Sequence, residues 1–130
     1  MEKWKVYDNN IFFDGYFEVS ISFSEDWLTV YLFDDEKKIE INFYLVHGFR
    51  LLDEGIVQNG IYLNDDQLMT LKKNHFCNVL YELTDGEFGE FIFDTAGGFL
   101  SEKEIFHYVV ITPNYNIDIV SRGIPKVTFL

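Results

Sequence analysis

A chain of 130 residues that is 48% hydrophobic and 18% aromatic has the size of one domain, spanning 1–130, and is too apolar to stay disordered. Its formal net charge of −12 repels phosphate backbones and anionic headgroups, which argues against nucleic acid and membrane partners and for a basic protein partner. The single cysteine, Cys77, excludes an intrachain disulfide, and no run of residues reads as a signal or a membrane span, so a soluble cytoplasmic protein is expected.

With 14 Phe, 8 Tyr and only 2 Pro, the composition favours sheet. Residues 4–7 read as a short first strand. Asp8-Asn9-Asn10 and Asp14-Gly15 then mark turns on either side of Ile11-Phe12-Phe13. From residue 16 to 46 three segments alternate apolar and polar positions: 16–23, 27–33 and 39–46. Their short polar breaks, Ser24-Glu25-Asp26 and Asp34-Asp35-Glu36, suit hairpin loops, so the stretch reads as an antiparallel meander with one buried face. Leu28, Val30 and Leu32 lie on one side of its middle strand, and Trp27, Tyr31 and Phe33 on the other, together with Tyr44 of the next strand. Residues 46–52 continue the extended pattern, with Gly48 in the position of a bulge.

The spacing predicts a short helix over 64–74, capped by Asn64 and carrying Asp65 and Asp66 at its positive end. Residues 77–83 read as a strand. Asp85-Gly86 is a hairpin signal that makes 87–93 its returning partner. Ser101 with Glu104 fits a capping box. Strands are expected at 107–112, 116–120 and 126–130, with Pro113-Asn114-Tyr115 as the turn between the first two. These elements add up to an α+β domain: a mainly antiparallel sheet of about six to eight strands with one or two short helices.

The clearest polar feature is Glu82, Asp85, Glu87, Glu90 and Asp94, five acids in a span without Lys or Arg, with Tyr81 and Phe88 among them. Such a surface steers a basic partner through its charge and anchors it through its aromatic groups, so Tyr81, Glu82, Asp85, Glu87, Phe88, Glu90 and Asp94 are the candidate partner-binding residues. The competing reading is a solvated hairpin whose Phe side chains belong to the core. No segment matches an EF-hand loop, and His75, Cys77, His47 and His107 lack zinc-ligand spacing, so neither a metal nor another cofactor is expected. Cys77 with His107 is the one nucleophile–base combination to name, and a lone Cys in an apolar strand is more often a small core residue.

The closing segment His107-Tyr108-Val109-Val110-Ile111-Thr112-Pro113-Asn114-Tyr115-Asn116-Ile117-Asp118-Ile119-Val120-Ser121, followed by Pro125, joins an aromatic strand, a polar turn and a second strand. In this, and in its acidic, aromatic and strand-rich character, the chain resembles the bacterial immunity or antitoxin proteins that neutralise polymorphic and contact-dependent toxins. The resemblance implies a non-catalytic, stoichiometric inhibitor of a basic toxin domain such as a nuclease, with acidic side chains standing in for phosphates. Two alternatives stay open from the residues themselves. One is a small catalytic or ligand-binding domain using His107 or His75; the other is a subunit that self-associates through an open sheet edge.

Overall fold

The computed structural model describes residues 3–6, 17–25, 27–53, 80–84, 87–97, 105–112 and 115–130. The alternation read in the sequence becomes a four-stranded antiparallel sheet in the order β2-β3-β4-β9, formed by β2 (Glu18–Ser24), β3 (Trp27–Phe33), β4 (Lys38–Tyr44) and β9 (Lys126–Phe129). A second antiparallel sheet, in the order β1-β6-β7-β8-β5, holds β1 (Lys3–Val6), β5 (Val46–Asp53), β6 (Leu80–Thr84), β7 (Phe106–Ile111) and β8 (Tyr115–Ser121). The domain is therefore mainly antiparallel α+β, with its strands divided between two sheets rather than laid in one.

The sheets share one core. Leu28, Val30, Leu32, Ile39, Ile41 and Phe43 all turn inward from the first sheet and are buried, as period-two side-chain placement requires. From the second sheet, Tyr108, Val110, Ile117 and Ile119 meet them, and the rings of Phe43 and Tyr108 lie 5.8 Å apart across the gap. β7 and β8 are buried on both faces; β7 reads as a nearly continuous apolar run, whereas β8 buries Asn116, Asp118 and Ser121 among its apolar residues.

The chain passes between the sheets at one place. The alternation predicts one strand over 39–46, but β4 ends at Tyr44 and Leu45 takes φ 55°, a left-handed conformation that a branched side chain rarely adopts. That residue redirects the backbone into β5, whose register with β8 shifts between Val46 and Gly48, the bulge read from the sequence. The return crossing, from β8 to β9, runs beside it: Arg122 N–H donates to Leu45 O at 3.0 Å and Gly123 N–H to Tyr44 O at 3.1 Å. A side-chain carbon on Gly123 would stand 2.8 Å from that same Tyr44 carbonyl oxygen. Backbone cannot swing aside, so Gly123→Ala is expected to cost about 1–3 kcal/mol by overpacking, read as a lower denaturant midpoint with an unchanged slope.

The segment after β6 departs from expectation. Residues 87–93 do not return as a strand; Glu87–Ala96 is a helix, α1, and the expected hairpin is absent. Phe88 and Ile92, four apart and so on one face of the helix, lie against the second sheet at Gly48. Glu87 and Glu90 occupy the first turn, which the helix dipole favours. Gly97 ends the helix at φ 62° with its N–H 3.2 Å from Asp94 O, the left-handed residue that closes many helices. The helix expected over 64–74, the strand start at Cys77, the turn at Asp85-Gly86 and the capping box at Ser101 lie outside the described residues.

Candidate functional site

α1 covers the outer face of the five-stranded sheet and separates two sets of side chains. Beneath it, three strands bring Arg50, Asp118 and His107 together. Arg50 and Asp118 share one register row of β5 and β8, while His107 sits two positions along on β7, on the same face. Nε and Nη2 of Arg50 both donate to Asp118 Oδ2 at 2.9 Å, and His107 Nε2 stands 2.6 Å from Asp118 Oδ1. A carboxylate accepts, so Nε2 is the donor in this contact. Among the described residues Nδ1 has no hydrogen-bond partner. It faces α1 at Gly89, where an added Cβ would lie 3.2 Å away. Phe88 closes the roof, with its ring 4.8 Å from the Arg50 guanidinium carbon and 6.1 Å from the His107 ring.

The cluster lies in the interior, under α1. Asp118 is fully buried and His107 nearly so, and no hydroxyl or thiol among the described residues is placed against the free imidazole nitrogen. An acid–base role requires a substrate within hydrogen-bond reach, and α1 occupies that approach. What the cluster does is tie β5, β7 and β8 together under the helix. Spacing showed none of this, because Arg50 and Asp118 are 68 residues apart and His107 and Asp118 are 11 apart.

On the other side of α1, Glu90, Phe91 and Asp94 are exposed, Phe91 to 59%. Glu90 and Asp94 lie four apart on the same face, where like charges repel by a few tenths of a kcal/mol. Asp94 also stands in the last helical turn, which contains no basic residue and where the dipole disfavours a carboxylate. The other sequence candidates separate. Phe88 is turned into the core. Tyr81 lies on the helix-covered face in the row of Val109, whereas Glu82 points to the opposite face in the row of Tyr108. Glu87 opens α1, and Asp85 lies outside the described residues. Among the described side chains, the surface expected from the sequence keeps Glu90 and Asp94, with Phe91 beside them.

Elsewhere, an open groove of about 600 Å3 runs along the outer face of the four-stranded sheet between Ser20, Tyr31, Phe33, Leu130 and the β3–β4 turn. Its rim mixes charges, with Asp34, Asp35 and Glu36 beside Lys37 and Lys38. The N–H groups of Glu36 and Lys37 donate to Asp34 Oδ1 at 2.8 and 2.6 Å and hold its carboxyl below the usual carboxylate value. Lys38 Nζ sits 5.0 Å above the Tyr31 ring. Among the described residues no three His, Cys, Asp or Glu side chains converge as a metal site. Among the described residues no helix is long and apolar enough to cross a membrane. Comparison with protein-family models, curated proteins and solved structures finds no match.

Proposed function

We propose that the protein is a non-catalytic binding domain that engages a basic partner protein through the exposed face of α1. In line with the resemblance drawn from the sequence, the partner class is a basic toxin domain and the role that of an immunity protein. The observation that carries this reading is the outward set Glu90, Phe91 and Asp94. Two carboxylates repel each other, one opposes the helix dipole, and an exposed Phe lies beside them. A group of side chains that weakens its own helix and leaves an aromatic ring in water is the pattern of a surface kept for contact. The acids steer a cationic partner in a −12 field, and the ring gives it a buried anchor.

The test is capture of partners from the source cells by the tagged protein at low and at high salt, identified by mass spectrometry, in parallel with the double variant Glu90→Lys plus Asp94→Lys. One dominant basic protein is expected, held at low salt and lost at high salt. The charge reversal is expected to weaken it at least about tenfold, roughly 1.4 kcal/mol. A partner held equally well by the double variant removes α1 as the contact surface, and retention of no basic protein at either salt removes the reading itself.

A further inference from the structure

The four strands at sheet edges differ in how they are protected. Open edges invite another strand, and proteins blunt them with short length, Lys, Pro or bulges. Among the described residues, β1 is four residues long and carries Lys3 and Lys5. β9 is four residues long and begins with Lys126. β5 is bulged and holds Arg50. β2 has none of these devices. It runs seven residues in unbroken register with β3 and its only charge is Glu18 at its start. Its inward residues Val19 and Ile21 pack against the core yet are only half-buried. Phe23 is 47% exposed and stacks at 5.6 Å on Phe49, itself 38% exposed.

We infer that β2 is a self-pairing edge, and that two copies of this chain join β2 to β2 antiparallel about a two-fold axis at Ile21. The occupant follows from the strand's own sequence. An isologous contact requires that a surface complement itself, and Glu18-Val19-Ser20-Ile21-Ser22-Phe23-Ser24 does so around its centre. Ile21 meets Ile21 of the second copy, Val19 meets Phe23, Ser20 meets Ser22, and Glu18 meets Ser24. Apolar side chains thus pair with apolar ones on the core side and serines with serines on the outer side, and no like charges face each other. The join makes one eight-stranded sheet from two four-stranded ones and covers the Phe23–Phe49 stack beside it. This inference is independent of the partner surface on α1, and the two respond to salt in opposite senses. Copies carrying −12 each repel one another, so screening strengthens self-association while it weakens a basic partner's grip.

Sedimentation of the purified full chain, from micromolar to near-millimolar concentration and at low and high salt, tests it alongside two variants. Ser20 and Ser22 are exposed, so their replacement leaves the fold of a single copy intact. Ser20→Lys plus Ser22→Lys sets lysine against lysine at both points of the seam. Ser20→Lys plus Ser22→Glu sets lysine against glutamate there, but only in the register centred on Ile21. The expected result is a concentration-dependent particle of twice the chain's mass, strengthened by salt, lost in the Lys/Lys variant and regained in the Lys/Glu variant. Single copies at every concentration of the unaltered chain overturn the inference and leave the edge to a strand of another protein. A dimer that survives in the Lys/Lys variant places the contact elsewhere and overturns it too. Failure of the Lys/Glu variant to pair overturns the two-fold at Ile21.

Discussion

Replacing Asp118 by alanine is expected to destabilise the fold by about 3–5 kcal/mol, the range for removing one member of a buried ion pair. The effect is large because one carboxylate serves two partners. Its Oδ2 accepts from both Nε and Nη2 of Arg50, and its Oδ1 from His107. Without it, His107 keeps a buried Nε2–H facing a void, beside an Nδ1 that already lacks a partner, and the full desolvation cost of that donor falls due. Arg50 is better placed, since about a third of its side chain reaches solvent. Arg50→Met is the milder change because Asp118 keeps its contact with His107 and the flexible stem over Phe88 is retained. Against a total stability of about 5–15 kcal/mol, the loss at Asp118 is severe. Chemical denaturation of both variants checks the order. Equal midpoints for Asp118→Ala and the parent would show that the cluster does not hold the sheet.

Phe43→Ala is expected to cost a similar amount, about 3–5 kcal/mol, by a different route. Phe43 is fully buried, lies opposite Leu28 in the first sheet and meets Tyr108 of the second. Its removal leaves a cavity between two sheets, and rigid strands paired on either side limit how far the walls relax. The control is Phe91→Ala. That ring is 59% exposed on α1, and its loss is expected to shift stability by no more than about 0.5 kcal/mol. Two substitutions of one residue type, compared by denaturant midpoint, thus separate the side chain that joins the sheets from one that faces water.

The meander was readable because its information is local. Strict alternation over residues 27–33 gave the bounds of β3, and Trp27, Tyr31, Phe33 and Tyr44 stand on the side of the sheet away from the core, as period two requires. The strands expected at 107–112 and 116–120, on either side of a turn, are found at Phe106–Ile111 and Tyr115–Ser121. Two features were not. Residues 87–93 fit a returning strand after Asp85-Gly86 as readily as a helix. The deciding contacts, Phe88 and Ile92 against Gly48 and Gly89 against His107, are made with strands distant in sequence. The switch between sheets rests on a single residue, Leu45, whose positive φ is imposed by neighbours across the crossing and leaves no mark in composition. For the same reason the acids separated: Tyr81 and Glu82 are adjacent in sequence and therefore on opposite faces of β6.

The pairing of β9 with β4, in which Ile39 meets Phe129 and Ile41 meets Val127, bears on how the chain survives its own synthesis. The ribosome releases β2, β3 and β4 early, and they zip into a meander by neighbouring hairpins. Its apolar side lacks the central strands of its opposing layer until β7 and β8 have been translated, and β4 lacks β9 beside it until the last strand follows. Nascent chains with an uncovered apolar face and unpaired strand edges are the species that aggregate. The late-made segment from residue 106 onward shelters the early-made meander, and a translational pause before it lengthens the interval in which Leu28, Val30, Ile41 and Phe43 stand open to other nascent chains.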